Sequence, residues 1–281
     1  MASQQSQYLD SIQKIIDEQK KIYGRGTSIQ ACNQIPETNK IPIESSDKPW
    51  HWLKIPQVIC VFVDMKGSTR LSANRQDKTM AGIYQLFTNT AVRIFHEFEA
   101  PYIDIKGDGV FALFNQGEHC RALAATVTFK TFVAEEFQGE VKSKLRDTNI
   151  SIGGHYGIDQ KTVLVRKIGL KDNPYRSDSR NNEVWAGKPI NMAAKLASIA
   201  DTDELLVSDR YFNNFLRTNR YALCSCGCKE GEETDNYENL WKEQPLPEDQ
   251  YPQFDFRKAH SLKSNWCPIH GKEYCQQLLK S

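Results

Sequence analysis

Two aspartates stand at positions from which carboxylates can do chemistry. Asp64 closes the apolar run Val58–Val63 and is followed at once by Met65, Lys66, Gly67, Ser68 and Thr69. Asp108 lies in the turn Lys106-Gly107-Asp108-Gly109, between the strand patterns Tyr102–Ile105 and Val110–Phe114. Taken singly, Asp64 reads as a helix N-cap and Asp108 as a turn former. Taken together they imply more. In a β-α-β-β unit the first strand and the hairpin lie side by side, and two converging carboxylates repel unless a cation sits between them. Oxygen-only ligation suits Mg²⁺ or Mn²⁺. Gly67, Ser68 and Thr69 open a helical pattern, so their backbone N–H groups form an anion site at a helix N-terminus. Metal beside such a turn is a way to hold a triphosphate.

The elements that must position these groups can be read from periodicity. Leu9, Ile12, Ile15 and Ile16 form one stripe of a polar helix over about residues 6–23, expected to pack on the main domain or on a second copy. Gly24 to Lys48 reads as a surface loop. Val58–Val63 is a strand buried on both sides, and 71–98 and 118–137 are long helices. Ile150–Tyr156 and Thr162–Ile168 read as two strands joined at Gly157-Ile158-Asp159-Gln160, and Lys171–Asn182 as a polar loop. A helix follows over 189–199, then strand-like Glu204–Val207 and Tyr221–Leu223, with Tyr237–Trp241 closing the sheet. The order predicts an α+β fold: a ferredoxin-like, mainly antiparallel sheet with helices on one face. Three segments are expected: 1–53 as helix and extended chain, 54–245 as the catalytic domain, and 246–281 as a tail.

Bulk properties narrow the class. The 281 residues can bury one substantial core, and Lys+Arg 36 against Asp+Glu 35 gives a net charge of +1. That balance gives no field directed at nucleic acid or an anionic membrane. No run reaches the roughly 18 apolar residues of a membrane helix, and the N-terminus lacks a secretory pattern, so a cytoplasmic protein is expected.

Four stretches carry a family resemblance. Phe62-Val63-Asp64-Met65-Lys66-Gly67-Ser68-Thr69-Arg70-Leu71 resembles the strand–turn–helix motif of class III nucleotidyl cyclases, and Ile105-Lys106-Gly107-Asp108-Gly109-Val110-Phe111 resembles their hairpin. Ile152-Gly153-Gly154-His155-Tyr156-Gly157 is similar to a further strand of that family. Gly187-Lys188-Pro189-Ile190-Asn191-Met192-Ala193-Ala194-Lys195-Leu196 is similar to a helix of it. The set, in family order, covers roughly residues 55 to 245. The resemblance implies that Asp64 and Asp108, with the Met65 carbonyl, hold two divalent metals. Asn191 would orient the ribose, and Lys195 would stand where the family carries an α-phosphate arginine. Asn191 and Lys195 are four apart and share a helix face. Lysine keeps the charge but not the planar fork. The alternative for Lys195 is a solvated helix charge. A symmetric homodimer is implied too, because the family builds each site from both sides of an interface.

Departures bear on the base. Asp104 occupies one base-reading position, and the other falls near Val184-Trp185, where Glu183 is one residue out of register. Gly67-Ser68 replaces the family's Gly-Phe. Trp185 and Tyr102 would shorten the pocket in favour of a single-ring base. The chain most resembles the pyrimidine cyclases of Pycsar anti-phage systems, which implies UTP as substrate and cyclic UMP as second messenger. The alternatives are CTP, then an adenylate cyclase, then an inactive nucleotide-binding module.

Five of eight cysteines lie beyond residue 223, in Cys224-Ser225-Cys226-Gly227-Cys228 and around Cys267 and Cys275. Thiolates with a histidine suit a structural Zn²⁺. Cys224, Cys228, Cys267 and Cys275 are the expected ligands, with Cys226 and His270 as substitutes. Reduced surface thiols are the alternative.

Overall fold

The computed structural model describes residues 7–43, 51–73, 75–169, 181–228, 237–248 and 253–280. The chain divides into two units, residues 1–55 with 164–186, and residues 56–163 with 187–281.

In the smaller unit, α1 (Asp10–Gly24) realises the N-terminal helical pattern, but Leu9, Ile12 and Ile15 of its stripe are exposed. β1 (Ser28–Ala31) pairs in parallel with the start of β2 (His51–Lys66), Ser28 opposite His51. β6 (Asn181–Ala186) pairs antiparallel with the end of β5 (Gly153–Gly169), Leu164 opposite Ala186. The expected loop over 24–48 therefore contains a strand and the 3-10 turn Thr38–Lys40, and its residues 44–48 lie outside the described residues. Of the loop expected over 171–182, residues 171–180 also lie outside, while Asn181 and Asn182 already belong to β6.

The larger unit is a sheet in which strands follow the order β3 (Tyr102–Lys106), β4 (Gly109–Phe114), β2, β5, β7 (Glu204–Ser208), β9 (Lys258–Leu262), β8 (Trp241–Pro245). β3–β4, β4–β2, β7–β9 and β9–β8 are antiparallel pairs, and β5–β7 is parallel. The helices are α2 (Ser68–Ser72), α3 (Asp77–Glu97), α4 (His119–Phe132), α5 (Gln138–Leu145), α6 (Lys188–Ile199), α7 (Asp209–Tyr211), α8 (Arg220–Leu223) and α9 (His270–Lys280). A π-helical turn, Val133–Phe137, joins α4 to α5.

Side-chain alternation assigns the layers. Val61, Val63 and Met65 of β2, Val110 and Ala112 of β4, Tyr156 of β5 and Leu205 of β7 pack with Phe87, Phe95 and Phe129 of α3 and α4. Leu206 turns the other way, against Met192 and Leu196 of α6. Helices thus cover both faces rather than the one expected.

Three further expectations are corrected. Gly157 to Gln160 is not a turn; β5 runs straight through it. Gly157 is there because α6 lies so close that a Cβ would fall 2.0 Å from the Ala193 carbonyl oxygen. Tyr221–Leu223 belongs to helix α8, capped by the Asn219 side chain accepting from the Ala222 N–H. The helix expected from 71 starts only at Asp77, after the single short turn of α2. The segment 246–281 contributes β9 and α9 to the larger unit.

Lys130 is fully buried in α4, where its ammonium donates to Lys263 O (2.8 Å), Ser264 O (3.1 Å) and Asn265 Oδ1 (2.7 Å). All three donors are satisfied, which tethers the approach to α9. Burial draws its pKa down to about 8. Lys130→Met keeps the apolar stem but strands three acceptors, so thermal melting should show a loss of about 2–4 kcal/mol. A variant melting with the parent would show that the tether carries no stability.

Candidate active site

β2 delivers Asp64 by simple alternation. Val63 and Met65 are buried against α3 and α4, so Asp64 between them points to the opposite face, the face of α6. On β4 the residue in register with Phe62 is Phe111, with Val63 it is Val110, and Asp64 next meets Gly109. A Cβ on Gly109 would lie 2.7 Å from the Phe62 ring and 3.1 Å from Asp64 Oδ1. A side chain there would press on the carboxylate, and its absence opens the space beside Asp108. The hairpin tip Gly107 is left-handed (φ +68°), the conformation the two-residue turn needs.

The Asp108 carboxylate lies close enough to Asp64 to act on its charge. Burial first, and the nearby Asp108 carboxylate second, raise the Asp64 pKa from 3.8 to about 6. Among the described residues neither carboxylate has an ion-pair partner. A half-buried oxygen-only pair short of positive charge fits a divalent cation. Met65 is buried, with its side chain in the opposite core, so only its backbone faces the question of ligation.

The turn after β2 is sterically fixed. Gly67 has φ +85°, and a Cβ would sit 2.4 Å from the Ser151 carbonyl oxygen, so no other residue fits. Ser68 is buried and Thr69 exposed. The helix they open, α2, is only five residues long, so the expected long-helix dipole is reduced to one turn of N–H groups.

Asp104 faces Phe111 across the β3–β4 pair, which puts it in one row with Phe62 and on the Asp64 face. It accepts from the Ile105 N–H (2.9 Å) and pairs with Lys106 at 2.5 Å. Lys66 is near enough to His155 to help depress that histidine's pKa, after burial. Trp185 lies on β6 in the smaller unit, where its indole N–H donates to Glu183 Oε2 at 3.1 Å.

Asn191 and Lys195 come on α6, which packs over β5 and β7 rather than over the β2–β4 pair. Asn191 is exposed. The Lys195 ammonium donates to Gln253 O (2.9 Å) and lies 5.8 Å from the Phe254 ring centre. The structure thus unites Asp64 with Asp108, puts Asp104 on their face, and keeps the Asn191–Lys195 pair on a separate element of that face.

A charged network beside α6 was invisible in the sequence. Arg210 grips the buried Asp159 with Nε (Oδ1 at 2.7 Å) and Nη2, and donates from Nη1 to Asp255 Oδ1 at 2.8 Å. Lys161 (2.7 Å) and Lys188 (3.3 Å) join Asp255. Burial alone would raise the Asp255 pKa, but Lys161 and Arg210 outweigh it and bring it to about 2. The network fastens residues 253–257 next to Lys195. Its partners are scattered through the chain, and Asp159 was hidden in a segment with the composition of a turn.

No family model matches the chain. It is 38% identical over 240 residues to a uridylate cyclase of Propioniciclava tarda, covering 85% of this chain and 73% of that protein. To a uridylate cyclase of Micromonospora echinofusca it is 30% identical over 249 residues, 87% of this chain and 75% of the relative. The fold is that of the adenylyl cyclase CyaB from P. aeruginosa, with a TM-score of 0.53 and 14% identity over 77% of this chain and 97% of the other. It is likewise that of the guanylate cyclase domain of RhGC from Catenaria anguillulae, with a TM-score of 0.52 and 13% identity over 76% of this chain and 99% of the other.

Proposed function

This chain belongs to the uridylate cyclase family, and we propose that it converts UTP to 3′,5′-cyclic UMP and pyrophosphate at the Asp64–Asp108 site. The observation that carries the site is the convergence of those two carboxylates, with the Asp64 pKa raised to about 6 and, among the described residues, no ion-pair partner for either. Asp64, Asp108 and the Met65 carbonyl would hold two Mg²⁺ or Mn²⁺ ions. Such ions, when bound, acidify a ribose hydroxyl and offset triphosphate charge.

The chain's own groups do the rest. The 3′-oxygen attacks the α-phosphorus as the bond to pyrophosphate breaks, and charge grows on the departing oxygens. The N–H groups of Gly67, Ser68 and Thr69 bind phosphate oxygens, with Lys66 adding positive charge nearby. Asn191 orients the ribose and Lys195 meets the α-phosphate, after release from Gln253 O. Asp104, on the face of Asp64, bounds the base. Because α6 stands apart from the aspartates, a homodimer pairing the α6 of one copy with the Asp64–Asp108 of the other supports two equivalent sites. Among the described residues no helix is long and apolar enough to cross a membrane. We place the product in antiviral signalling, on the resemblance to Pycsar cyclases; an unchanged cyclic UMP pool in infected cells carrying the chain would reject that role.

Incubation with each of the four ribonucleoside triphosphates and Mn²⁺, followed by mass analysis, tests the reaction. Cyclic UMP from UTP is expected. Cyclic CMP as the main product would move the base assignment and keep the site, whereas cyclic AMP or no cyclic product would reject the reading.

A further inference from the structure

We infer that Cys226, Cys228, Cys267 and His270 bind one structural Zn²⁺ that ties the C-terminal helix to the chain after α8. Their ligand atoms all lie within 4.8 Å of one another. Tetrahedral zinc with ordinary Zn–S and Zn–N bonds separates sulfur from nitrogen by about 3.6 Å and sulfur from sulfur by about 3.8 Å. His270 Nδ1 is 3.4 Å from Cys228 Sγ and 3.9 Å from Cys267 Sγ, close to that spacing. Three thiols and an imidazole form a soft donor set that selects zinc over the hard cations suited to Asp64 and Asp108.

The backbone is shaped for the same purpose. Gly227, between two of the cysteines, is left-handed (φ +84°), which lets Cys226 and Cys228 turn to one point. Cys267 and His270 are three apart at the start of α9, and the Ile269 N–H donates to Cys267 Sγ at 3.4 Å. An N–H aimed at a sulfur favours a thiolate ligand. The two ligands first expected that fall outside this set have other surroundings. Cys224 is bridged to Asn239 in strand fashion, and Cys275 lies 3.8 Å from Thr128 Oγ1 on α4.

Such a staple would reinforce the packing of the helix. Within α9 only Gly271 is buried, pressed against Trp266, whose indole donates to Thr128 Oγ1 at 2.8 Å. Tyr274, Cys275, Leu278 and Leu279 are half-buried on the core, so packing seats one face of the helix and a metal would fix its first turn. Zinc closes the loop between residues 228 and 267 and so holds α9 on α4 and α8, where Tyr274 stacks on Tyr221 at 6.3 Å.

Metal analysis of the purified full chain tests this without any nucleotide, so its outcome is independent of the cyclase reading. About one zinc per chain is expected, and cobalt added to the metal-free protein should give the absorption of a tetrahedral three-thiolate site. Cys226→Ser should lose the metal and lower the melting temperature, while Cys224→Ser and Cys275→Ser should keep it. If Cys226→Ser does not fold, the wild-type cobalt spectrum still decides. A zinc-free protein with no tetrahedral cobalt spectrum would overturn the site, as would a disulfide among Cys226, Cys228 and Cys267 or zinc lost from Cys224→Ser but retained by Cys226→Ser.

Discussion

Asp64→Asn is expected to abolish cyclic nucleotide formation, by about 1,000-fold or more, while leaving the metal-free chain at least as stable as the parent. The two effects have one cause. Asp64 is half-buried beside Asp108, and its carboxyl prefers its proton, with a pKa raised from 3.8 to about 6. Because the folded value lies above the unfolded one, the folded chain binds more protons between those pH values. Stability without metal therefore falls as pH rises through that window, and the charge is a cost above it. Asparagine keeps the shape and removes that cost, which is on the order of 1–3 kcal/mol at neutral pH. It also removes the anion that holds the cation. Melting curves at pH 4 and pH 7, paired with product assays, separate the effects. The metal-site account fails if Asp64→Asn keeps a tenth of the parent's rate. The strain account fails if the variant melts well below the parent at neutral pH.

Gly157→Ala should be nearly as damaging by a purely steric route. The new methyl would lie 2.0 Å from Ala193 O and 2.7 Å from Ala197 N, both backbone atoms of α6. Neither can rotate away, so the helix itself must shift. Overpacking of this severity costs about 3 kcal/mol or more. Displacing α6 also moves Asn191 and Lys195, so activity should fall even in the fraction that stays folded. Gly139→Ala provides the contrast. Gly139 sits in α5 with nothing within 4 Å of an added Cβ, and alanine there should raise stability by about 0.5–1 kcal/mol. Equal melting temperatures for the parent and Gly157→Ala would show that α6 is not seated as described.

Much of this site was legible because its signals are local. An apolar run ending in Asp64, a hairpin carrying Asp108 and the periodicity around Asn191 each depend on neighbours in sequence, and each element formed where expected. What escaped depended on distant partners. Gly157, Asp159 and Gln160 have the composition of a turn, yet the first makes room for α6, the second pairs with Arg210 and the third donates to Gln57 O. β9 was missed because Lys258-Ala259-His260-Ser261-Leu262 reads as polar. Its His260 and Ser261 are buried only because Asp209 and Glu204 wait for them. The cysteine spacing favoured Cys224 and Cys275 over Cys226 and His270, whereas the fold gathers Cys226, Cys228, Cys267 and His270, a choice that depends on how the start of α9 returns to residue 228. Asp104 shows the opposite case: period-two alternation along its strand places it on one face with Tyr102 and Lys106, and the ion pair to Lys106 lies on that face.

The most direct test of the central claim is Mn²⁺ binding, followed by electron paramagnetic resonance in the presence of a non-reacting UTP analogue. The parent is expected to bind Mn²⁺ at neutral pH, with affinity falling about tenfold per pH unit below about 6 as Asp64 takes up its proton. Asp64→Asn and Asp108→Asn should each weaken binding by more than tenfold. Undiminished Mn²⁺ affinity in both variants would contradict the account.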